Sequence, residues 1–372
     1  MSVKLNLLQI VNVRWFNASA EYAITISKDL AERGHKILIA GKNGTPPVEK
    51  ANAFGLRVDT SLSFTPFSFF SDLLKLQKMV VSEDINIINS HRAEGHALAA
   101  ALKIFNRRIK VVRTRVDIRS PKSNLFNKLI HRNTDKIIVP ARFLKDKVIQ
   151  STGVQPDYVD VIYGGVDINF FKPGEDGLVF RKSLGLKPDD LLVGIVARLD
   201  PVKGHFVFLD TAKKLSAIFP EMKFIVVGTE AEYSIPYMKD YARKIGLNSN
   251  LFYTGYINNV NAAINSFDIC LLTSLGSEAH SRVLLEYMAC GKPVVASSVG
   301  VIPEILKHKI DGILVPAGDV DAFVEGITRI IKDKEFRCFL GRNAKEKVAK
   351  KFKMEDFIDN IEQSYRSIID FN

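Results

Sequence analysis

The sequence predicts an α/β fold of two domains, each built on a parallel β-sheet, and three observations carry that prediction. Short β-branched runs alternate with amphipathic stretches almost from end to end, which is the pattern of parallel strands joined by crossover helices. The chain has 372 residues, 47% of them hydrophobic. That is more than one core accommodates, since a single core rarely grows beyond about 250–300 residues. Near the middle, Gly164, Gly165, Pro173, Gly174 and Gly177 cluster between periodic segments and mark the break. The expected division is an N-terminal domain over 1–167 and a C-terminal domain over 168–352.

In the first half the strand candidates are LNLLQIV, KILIA, INIIN, KVVRT, KIIVP and the run at 158–163. Amphipathic stretches at 19–33, 69–82, 93–105 and 141–151 lie between them. The second half repeats the plan with LLVGIVA, KFIVVG, LFYTG, DICLLTS, PVVAS and GILVP. Helical stretches at 319–332, 335–351 and 354–369 follow, so the chain is expected to end in helix. No short repeat is visible, which excludes a solenoid. No apolar run approaches the ~18 residues of a membrane-spanning helix, and the first fifteen residues read as an opening strand and not as a secretory signal. These features suit a cytoplasmic protein, soluble or peripheral at the inner face of the cytoplasmic membrane.

Cys270, Cys290 and Cys338 sit in apolar surroundings and are expected to be buried free thiols, with no disulfide framework or zinc site. Net charge is +11 and unevenly placed. Residues 1–170 hold 25 Lys and Arg against 15 Asp and Glu, and residues 103–147 alone hold 14 against 3. Such a field favours an anionic partner: lipid head groups, a phosphorylated acceptor or nucleic acid. Phe64, Phe67, Phe69 and Phe70 beside the helix at 69–82 add an apolar component that suits an anionic membrane surface. Solvated helix faces and core packing are the competing explanations. No aromatic-interleaved RNA motif or recognition helix supports nucleic acid.

The chemistry concentrates in the second half. In S274-L-G-S-E278-A-H-S-R-V-L-L-E286-Y-M-A-C-G291-K-P293, a strand end leads through a loop bearing Glu278 into a helix from about Ser281 to Cys290. Unpaired N–H groups at that helix start, around His280, Ser281, Arg282 and Val283, can receive a diphosphate. Glu286, more than one turn inside, can accept bonds from both hydroxyls of a ribose, and Glu278 is placed to meet a sugar. An i,i+4 pair with Arg282 is the competing explanation of Glu286. In V193-G-I-V-A-R198-L-D-P-V-K203-G, two cations at a strand's carboxyl end suit a leaving pyrophosphate, whose charge must be neutralised as the glycosidic bond breaks.

These motifs together resemble the retaining group 1 glycosyltransferases, the fourth sequence family of that enzyme class. The likeness rests on Glu278 and Glu286 with seven residues between them, Arg198 with Lys203-Gly204, Leu285-Glu286-Tyr287-Met288-Ala289, and Val166-Asp167 with Phe171 and Pro173. It is sharpest from Gly194 to Pro316. The resemblance implies the GT-B fold, two facing Rossmann-like domains, with the last helix over 353–372 packing back on the N-terminal one. It also implies that Arg198 and Lys203 hold the donor diphosphate, Glu278 the sugar and Glu286 the ribose, while Gly228, Tyr256 and Ile257 border the base. No metal or other cofactor is implied, so Asp319 and Asp321 are expected to serve a helix N-terminus.

The sequence departs from the family pattern on the acceptor side. Arg14-Trp15-Phe16-Asn17 stands where paired glycines are usual, and Arg115 with Asp117 stands where the family carries a His. Arg14, Trp15, His91 and Arg115 are the expected acceptor-binding residues, and His91 and Asp117 the candidates for a catalytic contribution there. For Asp117 a structural pairing with Arg115 or Arg119 competes, and for His91 a place beside a helix cap. Ala279-His280-Ser281 departs from the usual small-aromatic-small sequence, which leaves the donor open. The expected activity is retaining transfer of a sugar from a nucleotide sugar to a hydroxyl of a lipid-linked or cell-envelope glycan. A nucleotide-sugar 2-epimerase of the same fold and a non-catalytic binder of anionic polymers are the alternatives.

Overall fold

A computed structural model describes residues 4–15, 17–247, 250–276 and 278–369. The chain divides into two compact units: one runs to Tyr163 and resumes at Phe357, and the other is Gly164–Asp356. The first crossing thus falls just ahead of the glycine cluster's expected boundary at 167, and the return comes at 357 instead of 353.

The first unit holds seven parallel strands: β1 (Asn6–Val11), β2 (Lys36–Gly41), β3 (Arg57–Asp59), β4 (Ile87–Ser90), β5 (Lys110–Thr114), β6 (Lys136–Val139) and β7 (Val159–Val161), in the order β3-β2-β1-β4-β5-β6-β7. β1 lies inside the sheet, with Leu8 beside Leu38 of β2 on one side and Ile88 of β4 on the other. Both faces are covered by helices, which is why these strands are nearly continuous apolar runs. Leu8, Ile10, Ile88, Val111, Leu76 and Leu98 form part of its core. The helix Met354–Arg366 belongs to this unit from Phe357 onward. Its Tyr365 hydroxyl accepts from Asn89 Nδ2 at 2.8 Å, and Phe357 meets the Tyr22 ring edge-on.

The second unit holds six parallel strands: β8 (Leu192–Val196), β9 (Lys223–Val227), β10 (Leu251–Gly255), β11 (Ile269–Leu272), β12 (Val294–Ser297) and β13 (Ile313–Val315), in the order β10-β9-β8-β11-β12-β13. Val193 of β8 pairs with Phe224 of β9 and with Ile269 of β11. The order reverses direction between β1 and β4 in one sheet and between β8 and β11 in the other. Crevices at the carboxyl ends of strands at such a switch point are where open α/β sheets bind ligands.

Three expectations need correction or refinement. Cys338 is exposed on the helix Lys334–Lys351, whose residues alternate between core and solvent; only Cys270 and Cys290 are buried. Of the four phenylalanines, Phe64 and Phe69 pack against the core, while Phe67 and Phe70 are exposed. Asp319 caps the helix Val320–Lys332 by accepting from Ala322 N at 3.0 Å, and Asp321 pairs with Lys214. Among the described residues, no helix is long and apolar enough to cross a membrane.

Candidate active site

At the end of β8 the backbone continues as a short extension of the sheet, Leu199 N bonding to Thr229 O at 2.9 Å. Arg198 projects there, its guanidinium 2.6 Å from Asp200. Asp200 also caps the 3-10 turn Pro201–Lys203 by accepting from Val202 N, so one carboxylate fixes both the turn and the arginine. Gly204 then adopts φ +67° and begins the helix His205–Ile218. A Cβ at Gly204 would stand 1.9 Å from Thr273 O, so only glycine lets this turn meet the end of β11. Thr273 Oγ1 donates to Lys203 O at 3.0 Å and ties the two strand ends together.

That tie brings the predicted cation and acid into contact. Lys203 Nζ lies 2.5 Å from Glu278 Oε1, and Ser274 Oγ donates to the same oxygen at 2.6 Å. Glu278 is only 3% exposed. Its carbonyl accepts from Val301 N at 2.8 Å and abuts Gly300, where a Cβ would come within 2.0 Å of it. A carboxylate this deeply placed must be paired, and it has a cation and a hydroxyl.

The helix observed is Arg282–Ala289, one residue shorter at each end than expected. It enters through Ser281 in the left-handed conformation, φ 39° and ψ 54°, which is unfavourable for a residue with a Cβ. Ser281 Oγ is buried and has no hydrogen-bond partner among the described residues. Backbone strain and an orphaned hydroxyl at a helix start are what a pre-organised ligand contact leaves behind. Glu286 is 3% exposed, and Arg282 Nε lies 2.8 Å from it, so the i,i+4 pair is made. Burial raises the Glu286 pKa, and Arg282 works against that rise. The Tyr287 hydroxyl accepts from Val196 N at 2.6 Å, clamping the helix to β8.

His280 packs on Gly164, where a Cβ would stand 2.0 Å from the ring. Burial lowers its pKa to about 4, although Glu278 opposes the shift, so the ring is neutral near pH 7. Gly228 follows β9, and a Cβ there would lie 1.9 Å from Ala197 O. Gly228 N bonds to Gly255 O, which places the exposed Tyr256 and half-buried Ile257 beside the β9 end.

The first unit carries the acceptor-side candidates at the ends of β1, β4 and β5. Arg14 and Trp15 are exposed, and Phe16 lies outside the described residues. His91 is 2% exposed, with Nε2 2.9 Å from Gln9 Oε1 in a network shared with Asn89 and Tyr365. It stands directly before Arg92, the N-cap of the helix Ala93–Phe105, and its ring belongs to a buried polar network. Burial, reinforced by Arg113, lowers its pKa to about 3. Asp117 takes the structural pairing weighed against catalysis: it accepts from Arg119 N, Nε and Nη2. Arg115 donates to Arg119 O.

Asp200, Ser274, Gln9, Asn89 and Arg113 were not singled out from the sequence. An Asp directly before Pro at a turn start was the one signal that could have found Asp200. The others declare themselves only through partners distant in the chain.

Residues 178–347 match the family model of glycosyl transferases group 1, and residues 19–170 match that of glycosyltransferase family 4. The chain belongs to the group 1 glycosyltransferases. Lys203, Glu278 and Glu286 lie in the first matched segment and His91 and Arg115 in the second, whereas Arg14 and Trp15 precede both. Among curated proteins, this glycosyltransferase is 29% identical to an uncharacterized glycosyltransferase of Methanocaldococcus jannaschii, over 62% of this chain and 60% of the relative. It is 27% identical to the UDP-Gal:alpha-D-GlcNAc-diphosphoundecaprenol alpha-1,3-galactosyltransferase of Escherichia coli, over 60% and 58%. The matches thus span less than two thirds of these relatives' lengths. Among solved structures, HepE of Anabaena in complex with UDP superposes with a TM-score of 0.86 at 21% identity, covering 98% of this chain and 100% of that one. The likeness establishes the GT-B fold.

Proposed function

We propose that the chain transfers a glycosyl group from a nucleoside-diphosphate sugar to an acceptor hydroxyl with retention of anomeric configuration. The observation that carries this reading is the contact of Lys203 with Glu278 at the β8/β11 switch point. There a cation for a diphosphate and an acid for sugar hydroxyls share one crevice with a strained helix start. Bound donor would exchange the Lys203–Glu278 pair for its own groups, Lys203 and Arg198 turning to the phosphates and Glu278 to the sugar. Glu286, held by Arg282, would accept from the ribose. UDP-sugars are the first donors to assay, because the Anabaena neighbour was solved with UDP and the Escherichia coli relative is named for UDP-Gal.

In this mechanism the acceptor oxygen bonds to the anomeric carbon on the face from which the diphosphate departs. The bond from that carbon to the β-phosphate oxygen breaks, and the acceptor proton passes to the departing phosphate oxygen. No protein nucleophile takes part. Fixed positive charge where charge develops does the work, so no metal ion is required and chelator should leave the rate unchanged. Lys203→Ala is expected to lower kcat about 100-fold or more in a chain that still folds, as read by circular dichroism, although loss of the counter-charge to buried Glu278 lowers its melting temperature. A rate close to wild type would remove Lys203 from the mechanism, and an epimerised donor in the absence of acceptor would replace transfer with 2-epimerisation.

A lipid-linked or cell-envelope acceptor, reached from the inner face of the cytoplasmic membrane, is the partner this reading favours. The named substrate of the Escherichia coli relative and the basic first unit support it. The helix Leu125–Arg132 adds to this: Leu125, Phe126 and Leu129 are exposed within the most basic stretch of the chain, alongside Lys122, Lys128 and Arg132. Co-sedimentation with vesicles containing anionic lipid should fall with added salt and with Phe126→Glu; binding indifferent to both would exclude membrane docking.

A further inference from the structure

At the carboxyl ends of β4 and β5 the first unit has a cavity of about 150 Å³ whose lining includes Arg92, Arg113, Arg115 and Arg119. Two carboxylates also line it, and both are already engaged: Asp117 by Arg119, and Glu94 by Asn12 Nδ2 at 3.1 Å. Arg92, Arg113 and Arg115 make no ion pair among the described residues. Arg113 is the telling one. It is 5% exposed, and among the described residues its guanidinium has a single acceptor, Ser90 O at 2.9 Å. A buried guanidinium offers five N–H donors and is costly to leave without a counter-charge. Burial, followed by the nearby Arg115 and Arg92, lowers its pKa to about 9, which still leaves it cationic at neutral pH. His91 lines the same cavity, and its buried Nδ1 has no hydrogen-bond partner among the described residues. With Nε2 donating to Gln9 Oε1, that Nδ1 is a lone-pair acceptor awaiting a hydroxyl.

We propose that this cavity is an acceptor subsite for a phosphate ester, the arginines Arg92, Arg113 and Arg115 binding the phosphoryl oxygens while His91 accepts a hydrogen bond from a hydroxyl of the same molecule. The inference rests on the glycosyl-transfer reading and narrows it to acceptors carrying a phosphate ester. Bidentate guanidinium contacts match tetrahedral phosphate oxygens, and three of them exceed what a single carboxylate would use. The phosphate belongs either to a soluble sugar or polyol phosphate or to a lipid head group.

The test uses the whole chain with inorganic phosphate as the probe. Phosphate should protect Arg92 and Arg115 from phenylglyoxal, read by peptide mass spectrometry, and Arg92→Gln with Arg115→Gln together should weaken phosphate binding at this site about tenfold. Lys203→Ala should leave that protection in place. Equal modification with and without phosphate, or protection lost with Lys203→Ala, overturns the proposal. Because protection is read on the unaltered chain, a double variant that fails to fold does not blunt the result. Glycerol 1-phosphate and vesicles containing phosphatidate then separate the sources: protection by the first alone identifies a soluble acceptor, and protection by the vesicles a lipid one, either result upholding the site. Binding of UDP, GDP and ADP measured in the same samples keeps the two levels apart. If a nucleoside diphosphate binds and phosphate gives no protection, the subsite fails and the transferase reading stands; if none of UDP, GDP and ADP binds, the transferase reading fails.

Discussion

His91 shows how burial sets chemistry at a single residue. Its ring gives up water for Gln9, and the lost hydration holds its pKa near 3, well below the 6.5 of a free histidine. Above pH 6.5 the ring is neutral whether the chain is folded or unfolded and contributes no pH dependence. As pH falls below 6.5, only the unfolded chain takes up the proton, so stability declines toward the folded pKa. His280, with a pKa of about 4, acts in the same direction. Each such histidine costs ~1.4 kcal/mol per pH unit between about 6.5 and 4 at most. His91→Gln is expected to make the fall of melting temperature between pH 7 and pH 5 shallower, and an unchanged slope would show that the ring is hydrated in solution. His91 is legible in the sequence from its place after a strand, but its partner Gln9 comes from β1, and Tyr365 of the last helix reaches the network through Gln9 and Asn89. No local pattern carries that information.

At the scale of elements, the active site is a meeting of two strand ends, and glycine decides how closely they meet. All six strands expected in the second unit form, and in the first unit only β3 was not foreseen. Arg57–Asp59 is three residues long, sits at the sheet edge and is partly exposed, so it lacks the apolar run that betrays a buried strand. The strand ends are equally legible, since Arg198, Lys203 and Glu278 sit where chain order and parallel topology put them. What the sequence does not show is that Gly204 lies against Thr273 O while Gly300 lies against Glu278 O. Gly204→Ala would have to adopt φ +67° and would also push the β11 end away, so a loss of about 2–3 kcal/mol in urea denaturation is expected. It should also lower turnover by separating Lys203 from Glu278. A variant of wild-type stability and rate would mean the turn tolerates displacement and the contact is not held by this close approach.

For the molecule as a whole, the chain leaves the first unit at Tyr163 and returns to it at Phe357, so the stability of the first unit depends on residues that follow the whole of the second. Phe357, Ile358, Ile361 and Tyr365 are each no more than 5% exposed. At about 1.5–3 kcal/mol per buried side chain, their loss is comparable to the ~5–15 kcal/mol that holds an ordinary domain folded. Polar ties add to it: Arg33 reaches Asp359 and Glu362, Ser364 reaches Asp160, and Tyr365 satisfies Asn89 beside His91. The helix seals the unit and also supplies the hydroxyl that orders the network of Gln9, Asn89 and His91. Deleting residues 357–372 should therefore split calorimetric melting into two events, with the transition of Gly164–Asp356 near its wild-type position and that of the first unit lowered by tens of degrees or lost at 37 °C. If the donor binds to the second unit as proposed, affinity for its nucleoside diphosphate should survive the deletion while transfer is abolished. A truncated chain that still melts as wild type would show that the first sheet is stable without its returning helix, and would leave the Tyr365 network without a structural role.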